Sequence, residues 1–417
     1  MAGDRVAHAR YGGLGLPLAF VALPLYVLVP AHYAGTLGVS LAALGALLLA
    51  TRLLDAFIDP ALGRWADRCL AQSGANSQRA WAMLVALAVL CVAGFWAVFV
   101  PAVSGPVALL WWCAAAVTLT TVAYSACTIL HQAWASLLGG DASQRAAWVA
   151  WREGLGVIGV VLANVVAAQW GVVALACSLT ITMALALWAL KHAPWKPASM
   201  SSSLLALDWL QPWRHQVFRR LLLLFVVNGV ATAVPATLVV FFIRDVVQRP
   251  DLTAAFLAAY FVLGALSVPV WLKVVGRLGP SRAWACGMLG NVLTFAGVCW
   301  VGPGDVLGYA LVCVASGAML GADLTAPGTL LTGVIQRTGR ADAAGLFTGW
   351  WQMATKLNLA LAAGLALPAL QWLGYRTTEA DEASRQALTW VYGVVPCVFK
   401  ALALVVWWRL WARKGWE

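Results

Sequence analysis

The stretch Arg52-Leu53-Leu54-Asp55-Ala56-Phe57-Ile58-Asp59-Pro60-Ala61-Leu62-Gly63-Arg64-Trp65-Ala66-Asp67-Arg68 decides how the chain is read. It follows an apolar run from Leu41 to Ala50, so its first part prolongs a segment suited to hydrocarbon. Successive residues of a helix turn by about 100°, which stacks Asp55 and Asp59 on one face and brings Arg52 to the same side. A carboxylate left alone in hydrocarbon is expensive, so such a pair faces a water-filled cavity or a cationic partner. Two adjacent carboxylates also repel, and a cation between them relieves the repulsion. That is a pattern for binding Na⁺ or H⁺. The plainer alternative is a span that stops before Pro60 and leaves both acids in water; Asp55 lies at least one turn deeper than that reading favours.

Composition supports the hydrocarbon setting. Of 417 residues, 62% are hydrophobic and only 10% are charged, and the mean hydropathy is +0.83. Soluble domains carry about 25% charged residues, so this is an integral membrane protein. The 24 Trp and 38 Gly suit the same setting, because Trp anchors interfaces and Gly lets helices approach closely. The first apolar run, Leu14 to Val29, continues into Ala31-His32-Tyr33-Ala34-Gly35 and is expected to stay as a helix rather than be cleaved as a signal. The nine Cys are scattered and form no CxxC pair, so they read as small apolar residues, with no metal cluster, cofactor or structural disulfide expected. The net charge of +11 points to basic loops that set membrane orientation rather than to nucleic acid.

Apolar runs near 14–34, 37–59, 81–100, 107–135, 147–169, 171–190, 218–242, 254–274, 284–301, 305–332, 345–371 and 388–410 predict twelve spans. Each offers about 20 residues, enough for roughly 30 Å of hydrocarbon. Among the connections, eighteen Lys and Arg fall on the side of the termini, while the other side has only Arg244, Arg249, Arg376 and Arg385. The bias places both termini on the cytoplasmic side of the membrane. A polar connection from His192 to His215 separates six spans from six, and its Leu204 to Leu210 part suits a short interfacial helix. The expected organisation is a bundle over 1–191, a cytoplasmic linker over 192–217 and a second bundle over 218–417. Two such halves imply an internal repeat and an alternating-access carrier, working as a monomer with membrane lipid around it.

Several polar residues interrupt the remaining spans. Tyr124, Thr128 and His131 share a face of the fourth, where His131 reads equally as a working group or as a side chain reaching inner water. Arg152 admits two readings, a ligand for a substrate anion, or a side chain snorkelling to pair with Glu153 or a loop group near the interface. Asn228 and Thr232, four apart beside Pro235, offer neutral hydrogen bonds to a substrate. Asp323 can bind substrate, pair with a base or organise a cytoplasmic gate. Lys356, well inside the eleventh span, has only a cavity or a carboxylate as partners, and an Asp–Lys pair across the halves would respond to cation binding. Lys400 in the twelfth span has no partner assignable from periodicity. The segments Arg244-Asp245 and Arg249-Pro250-Asp251 read as a self-neutralising outer loop.

The pattern Asp55, Asp59-Pro60, Gly63, Asp67-Arg68 resembles the second-helix signature of the glycoside–pentoside–hexuronide:cation symporters, a branch of the major facilitator superfamily that includes the melibiose carrier. Tyr11-Gly12, the Arg145 to Arg152 segment, Lys356 and a reduced helix-ten Ala-Asp motif at Asp323 extend the likeness over most of the chain. The resemblance implies an all-α membrane protein with the major facilitator fold and a symporter coupling Na⁺ or H⁺ to a small organic solute, a sugar or glycoside being the family's usual range. It also implies a cation site of Asp55, Asp59 and the helix-four position Thr128, with Na⁺ held by the two acids as metal ligands, and Lys356 coupling that site to the second half. Arg152 matches a sugar-site arginine, with Tyr124, Trp134, Asn228, Thr232 and Trp351 completing the substrate set. Arg64, Asp67, Arg68 and Asp323 form the expected gate. The sequence departs from the pattern at Ala19, where a sugar-binding Asp is absent, and at Leu324-Thr325-Ala326 after Asp323, which argues against a close galactoside. Some relatives carry lysophospholipids, and Trp111, Trp112, Trp350 and Trp351 keep an amphiphile as an alternative substrate. A non-transporting sensor or scaffold is a third reading. No nucleophile–base arrangement suggests an enzyme.

Overall fold

The computed structural model describes residues 2–74, 76–196, 208–375 and 381–410, and all regular structure among them is helical. In chain order the helices are α1 (Ala2–Gly12), α2 (Gly15–Pro30), α3 (Leu41–Ser73), α4 (Ser77–Phe99), α5 (Pro106–Leu138), α6 (Ala142–Leu190), α7 (Gln211–Arg214), α8 (Gln216–Phe242), α9 (Thr253–Leu278), α10 (Pro280–Phe295), α11 (Val306–Arg337), α12 (Ala344–Trp372), α13 (Glu382–Thr389) and α14 (Val395–Leu410). Wide π-helical turns extend α2, α8 and α13 at Ala31–Thr36, Ile243–Val247 and Trp390–Val394. Among the described residues, nine helices are long and apolar enough to cross a membrane. One of them, α6, is divided in two at Gly171, and α2 and α3 are helical where the first two spans are expected.

Start signals explain several boundaries. The Asn76 side chain accepts from the Gln78 amide ahead of α4, and Asp141 with Gln144 forms a reciprocal capping box ahead of α6. Pro106 and Pro280 occupy first-turn positions, where a missing N–H costs nothing. Within α6 the backbone breaks at Gly171 alone, with φ 78° and ψ −175°, a conformation that glycine adopts without strain. The expected connection at 170–171 is therefore a single residue.

The structure corrects the reading of the second span. Its helix does not stop at Pro60 but runs on to Ser73, so Arg64 and Arg68, which follow the expected span 37–59, lie within α3. Proline removes one N–H donor from the ladder, a loss that neighbouring helices make good in membrane proteins. At 33 residues α3 is about 50 Å long and projects well past the hydrocarbon. The interfacial helix expected over Leu204 to Leu210 falls mostly outside the described residues.

The chain packs as two compact units, Met1–Arg214 with Thr332–Met353, and His215–Leu331 with Ala354–Glu417. In the first, α2 lies along the first half of α6, so closely that a side chain at Gly15 or Gly159 would collide with the backbone of Arg152 or Leu16. The second half of α6 packs on α4, where the Trp81 indole donates to the Leu187 carbonyl at 2.8 Å and the Trp96 indole to the Thr180 hydroxyl at 3.0 Å. The start of α12 crosses α3 through facing glycines: Gly345 lies against the backbone of Gly63, and Gly349 against that of Asp59 and Pro60. In the second unit, Phe242, Phe256, Phe295, Tyr309 and Tyr392 pack into one apolar core. Phe242 stacks on Tyr392 at 4.3 Å, and the Tyr309 and Tyr392 hydroxyls satisfy each other at 2.7 Å.

Candidate functional site

Asp55 and Asp59 are both buried on α3, at 3% and 0% exposure, as their spacing predicts for one face. Opposite them, α5 carries Thr121, Ser125 and Thr128 at helical spacing. The Ser125 hydroxyl donates to Asp55 Oδ1 at 2.8 Å. Thr128, one turn on, is buried and its Oγ1 has no hydrogen-bond partner. A cavity with room for about one water-sized particle borders Asp55 and is lined by Leu25, Leu48, Thr51, Arg52, Val117 and Thr121, from α2, α3 and α5. Carboxylate and hydroxyl oxygens of this kind suit a hard monovalent cation or a proton. Sequence reasoning missed Ser125; the signal was its place between Thr121 and Thr128 on the face that meets α3.

The other polar residues of the first unit form a separate network. Arg152 pairs with its neighbour Glu153, as one of its two sequence readings holds. With its amide turned to satisfy both ends, Gln132 on α5 accepts from Arg152 Nη2 at 3.1 Å and meets Gln352 of α12. Arg152, Gln132 and Gln352 thus link α6, α5 and α12 within this unit. Tyr124 is half-buried on α5, and Trp351 is buried on α12. Trp134, expected in the substrate set, is taken up elsewhere: its indole donates to the Pro194 carbonyl at 3.0 Å and its ring meets Trp195 edge-on, leaving 1% exposed. Its position on the last turn and a half of α5 puts it beside the start of the linker, out of reach of a mid-span solute. His131 has a structural setting. Its Nε2 lies 3.0 Å from the Tyr11 carbonyl, the Tyr11 hydroxyl donates to the His131 carbonyl at 2.8 Å, and the rings stack at 4.2 Å, latching α1 to α5.

The expected gate residues of α3 sit beyond the acids. The Asp67 carboxylate accepts from the amides of Gly345 and Leu346, at 2.5 and 2.9 Å, and so satisfies first-turn donors of α12. Burial pushes the Asp67 carboxyl well above the usual carboxylate range, against the pull of those two amides. Arg64 lies over the Trp209 ring at 4.3 Å, and the Trp350 indole donates to the Trp209 carbonyl. Arg68 is exposed.

In the second unit Asp323 lies about halfway along α11, and its partners come from inside the bundle rather than from a cytoplasmic loop. Lys400 Nζ of α14 donates to its Oδ2 at 2.8 Å; the Trp284 indole of α10 and the Asn228 amide of α8 donate to its Oδ1 at 2.7 and 3.0 Å. Of the alternatives open to Asp323, pairing with a base is the one its surroundings show, and a gate is not. Lys400 thereby gains the partner that periodicity could not supply. Thr232 spends its hydroxyl on the Asn228 carbonyl of its own helix. Lys356 is half-buried on α12, in the part belonging to this unit. The outer pairs Arg244–Asp245 and Arg249–Asp251 form as the sequence suggests.

Twelve spans with paired acids on a long second helix define a polytopic membrane protein of the major facilitator fold. The chain belongs to the MFS/sugar transport protein family, whose sequence pattern matches residues 10–411, and its resemblance to the glycoside–pentoside–hexuronide:cation symporters holds. The family is one of transporters and not of enzymes. The inner membrane symporter YicJ of Escherichia coli (strain K12) is 24% identical over 277 residues, covering 62% of this chain and 56% of that protein, so the match spans little more than half of the relative's length. Among solved structures, the E. coli fucose:proton symporter FucP superposes with a TM-score of 0.64 at 12% identity, over 96% of this chain and 98% of that one. A bacterial homologue of the iron transporter ferroportin in its outward-facing state superposes with a TM-score of 0.70 at 13% identity, over 98% and 99%. At such identities these likenesses concern the fold.

Proposed function

We propose that the chain is a secondary symporter that couples entry of Na⁺ or H⁺ to uptake of a small organic solute, a sugar or glycoside, across the inner membrane. The observation that carries this reading is the buried Asp55, bonded to Ser125 and bordering a particle-sized cavity, with Asp59 one turn away on the same helix. Asp55, Asp59, Ser125 and the unsatisfied Thr128 hydroxyl receive the cation, Lys356 couples its arrival to the second half, and Arg152 with Tyr124 and Trp351 contacts the solute. The glycine-lined crossing of α3 and α12, tied by Asp67, acts as the gate between the loaded states. The two halves each form a six-helix bundle, and both termini face the cytoplasm.

Proteoliposomes test this directly, with D-glucose, D-galactose, D-xylose and D-glucuronate offered under imposed Na⁺, Li⁺ or pH gradients, and a lysophosphatidylcholine as the amphiphile arm. Accumulation of a sugar only under an inward cation gradient, lost in Asp55→Asn and Asp59→Asn proteins that insert normally, supports the proposal. Uptake that ignores every gradient would overturn the coupling, and transport of the lysolipid alone would overturn the sugar.

A further inference from the structure

The second unit contains two amide side chains whose oxygens lack donors. Asn228 on α8 and Asn358 on α12 are 3% and 4% exposed, and the Oδ1 atom of each is buried without a hydrogen-bond partner. Their helices approach at one level, because the Asn358 amide nitrogen lies against Gly229, in the space a Cβ there would need. A buried carbonyl acceptor without a donor is a net cost to a fold, and two at one helix approach call for a ligand that brings donors.

The orientation of Asn228 is imposed from behind. Its Nδ2 donates to Asp323 Oδ1, and a carboxylate paired to an ammonium has only acceptor oxygens to offer. The amide must therefore turn its nitrogen to Asp323 and its oxygen away. Lys400 and the Trp284 indole complete the carboxylate's bonding and hold it in place. The chain of influence runs from α14 and α10 through Asp323 of α11 to an oxygen on α8, with Asn358 adding a second oxygen from α12. Because Asp323 and Lys400 neutralise each other, the amides present carbonyl dipoles and no net charge.

We infer that Asn228 and Asn358 form a paired carbonyl acceptor that takes hydroxyl donors of a neutral polyhydroxylated solute, with Asp323 and Lys400 as positioning residues that set the Asn228 amide. This rests on the proposed uptake of a solute and adds its class: the site favours neutral sugars over hexuronates, whose carboxylate meets the negative ends of both amides.

Two readouts separate this inference from the function beneath it. The first needs no solute. Asn358→Leu removes an unsatisfied oxygen and breaks no described hydrogen bond, so the melting temperature of the purified full-length protein rises by about 2 °C or more. A fall in melting temperature overturns the inference, because it would show a structural amide. The second readout takes whichever of D-glucose, D-galactose and D-xylose the wild type accumulates and compares it with its deoxyfluoro analogues, in which fluorine keeps the size of a hydroxyl but donates nothing. At least one analogue is accumulated at least tenfold less well than the parent sugar by the wild type, and that discrimination collapses toward one in Asn358→Leu. It collapses likewise in the charge-neutral double variant Asp323→Asn with Lys400→Met, where a side-chain amide at 323 lets Asn228 turn over. Equal discrimination by wild type and variants overturns the inference, as does preferred accumulation of D-glucuronate. A wild type that accumulates none of the sugars overturns the sugar reading of the function, and the melting temperature of Asn358→Leu still decides the acceptor pair.

Discussion

The two units give a buried carboxylate different surroundings. Asp323 is closed in by an ammonium, an indole and an amide, and its charge is answered on the spot. Asp55 takes a serine hydroxyl and borders a cavity. The difference teaches what a membrane acid can be used for. A carboxylate answered by a lysine serves as a fixed point from which other groups are oriented, because separating the pair inside hydrocarbon is prohibitive. A carboxylate that abuts an ion-sized space can exchange its counter-charge, and exchange is what coupling requires.

The sharpest way to break the comparison is at the acids of α3. Asp55→Asn and Asp59→Asn should each reduce gradient-driven uptake about a hundredfold or more, equivalent to about 2.7 kcal/mol or more of lost stabilisation, with melting temperature maintained. The reverse outcome is expected at Lys400. Lys400→Met leaves the Asp323 charge buried and unanswered, destabilising the second unit by about 3–5 kcal/mol, and a melting curve or limited proteolysis should report it. A Lys400→Met protein as stable as wild type would erase the distinction between the two acids.

Smaller effects refine the picture. Asp67→Ala strips the acceptor from the first turn of α12 and should cost about 1 kcal/mol, seen as faster amide exchange at Gly345 and Leu346. The same contact carries a pH dependence. Because burial raises the Asp67 carboxyl more than the two amides lower it, the docked arrangement is most stable below the ordinary carboxylate range and loses stability as pH rises through the raised value. Exchange at those amides should quicken with pH beyond its intrinsic increase, and Asp67→Asn should abolish the excess. Ser125→Ala removes one hydrogen bond to Asp55 and should weaken cation affinity by a factor of about five, or about 1 kcal/mol, measured as the Na⁺ or proton concentration for half-maximal uptake.

Much of the fold was legible in the chain. Long apolar runs require helices in hydrocarbon, and Asp55 with Asp59 share a face by spacing alone. The continuation of α3 through Pro60 was not legible, because propensity penalises proline while the membrane tolerates it. Partnerships between helices were hidden for a different reason. Periodicity gives the face on which Lys400 lies but not the helix it meets, so its bond to Asp323 had to come from tertiary packing. Ser125 escaped because a serine is commonplace in a membrane helix until an acid is found against it. Trp134 was misplaced because an aromatic near a helix end suits a binding cleft and a buried linker equally well.

Gly171 has a consequence for motion. A junction of one residue keeps the two spans of α6 adjacent at that end, while the free dihedrals of an unbraced glycine leave their relative tilt open. The first of them packs on α2, and the Trp81 and Trp96 indoles tie the second to α4. That glycine is therefore the place where the two pairs of spans can swing against each other, and replacing it with a bulkier residue should stiffen the junction.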